Sequence, residues 1–339
     1  MDKLKRYIIS HFSLLFFSIF LALISIASVV FLIKLSSYTA VIKLSFFELL
    51  KLYVFVLPEL LLFTLPITFF VSAALSLYKL STDNEMIVLF ALGIKPRYIL
   101  KTLFKPAMFL SAVMIFNFMV LIPHTKILSK NFILYKKQEA QFNLSASEFG
   151  HNFNNWLLYI GDTDEKGGYK DILLFRKDKK EEILVGAKKA EVLTSKGIFK
   201  LQLKEGQGYS YSKDSLTQIN FESMNINNLL IDDYYDYRDP LEYWLHPHWR
   251  EKKIKNFITQ LLISLFPLFS LFTVLSIGII HVRHQKGHVY LAIAASMILF
   301  FGAIFGLHKP LGFYAIPAII GVWLLVTIPI YRKKVTSRY

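Results

Sequence analysis

Residues 7–33 read YIISHFSLLFFSIFLALISIASVVFLI, a run without Asp, Glu, Lys or Arg. A bilayer core about 30 Å thick needs roughly 20 apolar residues in a helix to cross it, and this block exceeds that length. Residues 257–280 and 311–331 repeat the pattern. A soluble chain of 339 residues would spread its apolar residues over one or two mixed domains. Here they are gathered into long blocks, which makes the chain an integral membrane protein. The first block is far longer than the ~7–15-residue apolar core of a signal peptide. Lys34 ends it with no small-x-small cleavage site, so it is expected to be retained. The chain has no cysteine, which excludes a disulfide framework, a zinc-thiolate centre and a cysteine nucleophile.

Six spans can be placed outward from these blocks, at roughly residues 8–33, 52–78, 102–122, 257–280, 289–307 and 311–331. The net charge of +15 sits mostly in the segments that would share one side, including Lys3, Lys5, Arg6, Lys79, Lys95, Arg97, Lys101, Arg283, Lys286 and Arg332 to Lys334. That is the positive-inside asymmetry, and it predicts both termini in the cytoplasm. A nucleic-acid surface would need a basic face on a folded domain, and none is seen.

Residues 123–255 fall on the opposite side, in the periplasm if the cell has one. They change character, with Phe199, Leu201 and Leu203 alternating with Lys200, Gln202 and Lys204, Tyr209 and Tyr211 with Ser210 and Ser212, and further runs at 155–160, 171–176, 182–192 and 218–222. Turn signals separate them at Lys196-Gly197, Glu205-Gly206 and Lys213-Asp214. Such short alternating runs predict antiparallel strands of a sandwich or barrel, flanked by helical or irregular stalks. The expected organisation is residues 1–122 with three spans, 123–255 with the β-domain, and 256–339 with three spans and a basic tail.

Between spans two and three the chain reads KLSTDNEMIVLFALG, residues 79–93. Thr82-x-x-Glu85 has the form of a capping box, in which the hydroxyl takes the amide three residues on and the carboxylate reaches back. Met86, Leu89 and Phe90 share a face at 3–4 spacing. Gly93 can end the helix in the left-handed conformation, and Pro96 blocks continuation. A short amphipathic helix at about 82–93 therefore lies between two spans on the inner face. It either rests on the lipid surface or inserts into a groove on a cytoplasmic partner.

Leu57-Pro58-Glu59, Leu65-Pro66, the run from Tyr78 to Glu85, and Ala91-Leu92-Gly93 together resemble the lipopolysaccharide-export permeases of the LptF/LptG family. The pattern E-x-x-x-L-x-A-x-G at 85–93 is specific to this resemblance. The Arg6-Tyr7-Ile8 opening and the layout of three spans, β-domain and three spans fit it over nearly the whole chain. Pro58-Glu59 and Lys79-Leu80-x-Thr82 are more similar to the LptF member, whereas Lys34 stands near a substrate-contacting lysine of the LptG member. The resemblance implies a transmembrane permease subunit of an ABC transporter in the bacterial inner membrane. It implies partners too: a second homologous permease, a cytoplasmic ABC ATPase dimer, periplasmic jellyroll bridge proteins, and lipopolysaccharide as cargo. The β-domain would be a jellyroll able to hold acyl chains, and residues 82–93 a coupling helix. Glu85 would then make the polar contact to the ATPase together with Thr82 and Asp83, Leu89, Phe90 and Ala91 would pack, and Gly93 would allow close approach. No G-x-x-x-x-G-K-[ST] phosphate loop occurs. ATP and Mg are thus expected on the partner, with no cofactor and no catalytic residue on this chain.

Other polar groups have two readings each. Lys34 and Lys43 could meet lipid phosphates as point charges or simply snorkel at a helix end. Glu59, inside span two, could face a cavity, pair with a lysine or be protonated. Pro58, Pro66 and Pro267 could kink their spans. Phe199, Leu201 and Leu203 could form a filled core or line a lipid slot. His281, His284 and His288 lack an accompanying carboxylate, so no metal site is expected, and His246, His248 and Trp249 mark an interface. No G-x-S-x-G nucleophile motif occurs. The competing functions are the permease of another ATP-driven lipid or lipoprotein exporter, and a membrane-anchored scaffold whose β-domain binds a partner.

Overall fold

The computed structural model describes residues 2–39, 44–142, 151–153, 156–163, 168–177, 181–195, 198–212, 215–227, 243–244, 250–280 and 288–337. They divide into two compact units, one of Met1–Lys34, Leu50–Lys126 and Tyr237–Tyr339, the other of Leu35–Leu49 and Ile127–Asp236.

The first unit is helical. Helices α1 (Asp2–Thr39), α2 (Phe46–Thr82), α3 (Glu85–Ala91) and α4 (Pro96–Phe116) are followed by a π-turn at Asn117–Leu121 and α5 (Ile122–Phe142). After the β-domain come α6 (Arg250–Phe269), α7 (Leu271–Gly278), α8 (Val289–Leu311) and α9 (Ala315–Tyr331). Among the described residues, five stretches are long and apolar enough to cross a membrane, and six if α6 and α7 count as one broken span. The break bends the helix by 44°. Pro267 supplies no N–H to the turn before it, and the Ser270 hydroxyl donates to the Pro267 carbonyl at 3.2 Å. Pro58 and Pro66, by contrast, lie inside α2 without ending it.

Helix α2 runs through the core. In lipid, apolar burial does not by itself drive helices together, so small and hydroxyl side chains mark the contact face. Thr64, Thr68, Ser72 and Ser76 follow one another at four-residue steps and are all buried. Thr64 and Thr68 donate to carbonyls one turn back, at 2.9 and 2.7 Å. At the end of this stripe Gly278 of α7 comes so close that an added Cβ would lie 2.5 Å from the Leu77 Cβ and 2.8 Å from the Ala74 carbonyl. Ser81 donates to the Gly278 carbonyl at 2.8 Å. Near the other end, Asn117 in the π-turn donates its amide to the Pro58 carbonyl at 2.8 Å.

The second unit takes in the end of α1, the start of α2, most of α5 and the β-domain: β1 (His151–Phe153), β2 (Trp156–Thr163), β3 (Tyr169–Lys177), β4 (Glu181–Ser195), β5 (Ile198–Ser212) and β6 (Ser215–Asn227). These described strands form one antiparallel sheet in sequence order. The expected turn at Glu205-Gly206 is not a turn. Strand β5 runs straight through it, paired on both sides. What the sequence marks there is a crease. Gly161, Asp171, Lys188, Glu205 and Glu222 are skipped between matched pairs on their respective strands. Asp171 and Glu205 adopt φ of 52° and 53°. Across this line the apolar alternation takes a three-residue step: Ile172 to Tyr169 on β3, Ala187 to Ala190 on β4, Gly206 to Leu203 on β5, Phe221 to Met224 on β6. One apolar cluster therefore gathers residues from both arms, including Leu174, Val185, Ala190, Leu201 and Leu203.

Gly206 is the tight point of the crease. A Cβ there would stand 2.3 Å from the Phe221 ring and 2.4 Å from the Gly186 carbonyl. The ring can turn aside, but the backbone of the neighbouring strand cannot. Gly206→Ala is expected to destabilise the β-domain by about 1–3 kcal/mol, the usual cost of overpacking. Pulse proteolysis of the full chain in detergent checks this; an unchanged cleavage midpoint in the β-domain would remove the crease from the account of its stability.

Candidate functional site

The loop joining α2 to α4 is built from two corners and seven helical residues. Thr82 does not cap α3. It is the last residue of α2, and its hydroxyl donates back to the Lys79 carbonyl at 2.8 Å. The position before α3 is taken by Asn84 at φ 61°, which makes no side-chain cap. The expected capping box fails because α2 runs through Thr82, with the Asp83 and Asn84 N–H groups still donating back to the Lys79 and Ser81 carbonyls, and the chain then needs a left-handed residue to reverse direction. Asn is the side chain other than glycine that tolerates this conformation best. Asn84→Val is expected to destabilise the loop by about 1–2 kcal/mol and Asn84→Gly by less, since a β-branched residue is poorly accommodated there. Thermal melting of the detergent-solubilised chain would show equal effects if the corner carried no strain.

The other end of α3 follows the sequence. Gly93 has φ 80°. Its N–H donates to the Phe90 carbonyl at 2.9 Å, and the Ile94 N–H donates to the Leu89 carbonyl at 3.1 Å. These two bonds form a Schellman cap. Lys95 is extended before Pro96, which opens α4.

Orientation separates the residues of α3. Met86 is fully buried, and Leu89 and Phe90 are half-buried against the helical core. The predicted apolar face thus packs against this chain's own bundle, with Leu89 and Phe90 each keeping part of their surface exposed. Burying that face is the better solution because a seven-residue helix has too few internal bonds to stand alone. What α3 turns outward is Val88, Ala91 and Leu92, with Val88 56% and Leu92 74% exposed. Asp83 is exposed beside them. Glu85, the first residue of α3, accepts a hydrogen bond from the Tyr7 hydroxyl of α1 at 2.6 Å.

Several basic segments meet at this end of the helical unit. Lys5 lies 6.0 Å from the Tyr98 ring at the start of α4. The end of α7 is tied to the end of α2 through Ser81, and the Phe272 ring of α7 contacts Tyr331 at the end of α9, just before Arg332 to Lys334. The N-terminal turns, the loop helix and the C-terminal turns are thus collected on one side.

The remaining candidates are spread out. Glu59 pairs with Lys126 of α5 at 3.2 Å, both groups being partly exposed. Together with the Asn117–Pro58 bond this ties α2 to the α4–α5 rod at two successive residues. Lys34 is exposed near the end of α1, which continues past it to Thr39, and Lys43 lies outside the described residues. Leu201 and Leu203 are buried in the β-domain cluster, while Phe199 lies on β5 with its side chain outside the described set. His281, His284, His246, His248 and Trp249 also fall outside it. Among the described residues no group of three metal-ligating side chains comes together.

Two features escaped the sequence reading. A capping box does exist, at the start of α2: the Ser45 N–H donates to Glu48 at 2.8 Å and the Glu48 N–H to the Ser45 hydroxyl at 3.4 Å. The S-x-x-E spacing was its signal. Glu48 also pairs with Lys136 at 2.6 Å. Tyr7 was the second; nothing local marks a tyrosine as the partner of a carboxylate 78 residues away.

Compared with known proteins, no curated sequence matches the chain. A family model described as lipopolysaccharide export system permease LptF/LptG matches residues 6–329, across spans, loop helix and β-domain alike. With that coverage, and with the membrane helices and inserted β-sheet in place, the chain belongs to the LptF/LptG family of lipopolysaccharide export permeases.

Proposed function

We propose that this chain is one permease subunit of an ABC transporter that takes lipopolysaccharide from the bacterial inner membrane and passes it to a periplasmic bridge. A second homologous permease completes the pair, and a separate cytoplasmic ATPase dimer hydrolyses ATP. The observation that carries this reading is the loop helix: a rigid seven-residue element between two left-handed corners, presenting Val88, Ala91 and Leu92 outward beside Asp83 and Glu85. An apolar outer face with a carboxylate suits a groove on a partner protein. The side it occupies is the one rich in Lys and Arg, which supports a cytoplasmic location for it and for both termini.

Within the cycle, lipid would enter between spans of the two permeases, with the first and fifth spans as the gate. Lys34 and Lys43 at the outer side would hold phosphates. Closure of the ATPase would move α3 and reduce the cavity, and the lipid would leave into the β-domain. Leu201 and Leu203 would then line the apolar interior. Strand β6 stands at one end of the described sheet with Leu216 and Ile219 exposed, which supports a bridge protein joining there by strand addition. Pro58-Glu59 and Lys79-Leu80 favour the LptF type.

Native mass spectrometry of the tagged chain, purified from its own cells in mild detergent, tests this. The expected spectrum is a complex of two different permeases, two ATPase copies and a lipopolysaccharide-sized ligand. A lone chain, or a complex without ATPase, would overturn the reading in favour of a scaffold. An ATPase with another lipid would keep the mechanism and discard the substrate.

A further inference from the structure

Helix α1 is the least packed of the spans: none of its most apolar 18-residue window is buried. Its packing on the helical core runs through Leu4, Ile8, Phe12 and Phe16. At one end Ile8 and Phe12 enter the core, with Phe12 5.4 Å from Phe69. Further along, Ser28 shares a hydrogen bond with Tyr53 at 2.8 Å, and the Phe31 ring lies 6.3 Å from Tyr53. A helix with so few buried contacts is the element freest to move. The loop helix has the opposite character. Both its ends are fixed by left-handed corners, and Met86 anchors it in the core, so it shifts as a unit.

The two elements are joined by Tyr7 and Glu85. The donor is a phenol and the acceptor a carboxylate, 2.6 Å apart, which is the length of a charge-assisted bond. The Tyr7 ring is steadied edge-on by His11 at 4.6 Å. Only Oε2 of Glu85 takes this bond; a carboxylate has room for further donors on Oε1, so a partner's cation can be bound while Tyr7 stays in place.

We infer that Tyr7 is a positioning residue that aims the Glu85 carboxylate and links displacement of the loop helix to the first span. The inference rests on the reading of α3 as the element that meets the ATPase. A push on α3 then reaches the bundle by two routes. The apolar route, through Met86, Leu89 and Phe90, presses on the packed core. The polar route pulls on the foot of α1, whose far side is unpacked within this chain and can swing.

Tyr7→Phe removes one oxygen and keeps the ring, its packing on His11 and the helix. In the reconstituted complex with its ATPase, the readout is lipopolysaccharide released per ATP hydrolysed, measured with bound ATPase counted in the same preparation. The expected result is retained assembly with the ratio lowered at least tenfold. The Tyr7→Phe/Glu85→Ala double variant should be no worse in this ratio than Glu85→Ala alone, because loss of the acceptor already removes the bond that Tyr7→Phe removes. A native ratio in Tyr7→Phe would overturn the link while leaving the function of α3 standing. Loss of assembly in Tyr7→Phe would assign Tyr7 a purely structural role and overturn it as well. If Glu85→Lys still bound the ATPase, the reading of α3 itself would fail, and this inference with it.

Discussion

Leucine in place of Gly278 is expected to keep the helical unit from folding, and alanine there to destabilise it by about 1–3 kcal/mol. The reason is what stands opposite. A Cβ at 278 meets the Leu77 Cβ at 2.5 Å, the Ala74 carbonyl at 2.8 Å and the Tyr78 nitrogen at 3.3 Å. Two of these are backbone atoms and the third is the root of a side chain, so no rotamer change makes room. Relief requires α7 to move away from α2. That movement would lengthen the Ser81–Gly278 bond and strand a buried hydroxyl and a buried carbonyl, at about 1–3 kcal/mol for an unsatisfied group. The loop helix begins just beyond Ser81, so its footing would loosen too. Size-exclusion profiles and thermal melts of the full chain in detergent give the readout. Wild-type melting of Gly278→Leu would show that this approach does not hold the two helices together.

The second large effect concerns Glu85. Glu85→Lys is expected to abolish ATPase binding by the permease pair and with it lipopolysaccharide release. The change acts twice. It replaces the acceptor of the Tyr7 hydroxyl with a donor, and it presents a cation where a carboxylate faces the proposed partner. Like charges brought together at an interface cost several kcal/mol. Glu85→Gln is the milder control, since its amide oxygen can still accept from Tyr7 while the charge is gone. Co-purification of the ATPase, scored against expression of the permease, decides the matter. Full binding by Glu85→Lys would move the partner surface elsewhere.

Some of this protein was legible in the sequence because the physics was local. The uninterrupted apolar run at residues 7–33 specified a membrane helix without reference to anything distant. Gly93 followed by Pro96 specified where α3 stops and α4 starts, since both act through their own backbone geometry. The alternation of Leu201 and Leu203 with the polar Lys200, Gln202 and Lys204 identified a strand with one buried face. The E-x-x-x-L-x-A-x-G run pointed to the family that the match over residues 6–329 establishes.

Other features were decided only by tertiary structure. Thr82-x-x-Glu85 and Ser45-x-x-Glu48 have the same spacing, yet only the second forms a capping box. Packing carries α2 on through Thr82 at its end, while its start at Phe46 leaves Ser45 in the capping position. The same rule explains α3, whose apolar side could have met lipid, a partner or its own bundle. Amphipathicity states that a face will be covered and not by what, and the core at Met86 settled it. At Glu205-Gly206 the local signal for a turn was overridden by pairing on both sides, because hydrogen bonds to two neighbours hold the strand through its kink. Tyr7 and Glu85, Gly278 and Leu77, Glu59 and Lys126 meet only when separate helices pack. The sequence by itself determined what each segment is, since that depends on neighbours along the chain. Which segment touches which was left to the tertiary structure, because contacts such as the 2.6 Å Tyr7–Glu85 bond and the 3.2 Å Glu59–Lys126 pair are set by the packing of whole helices.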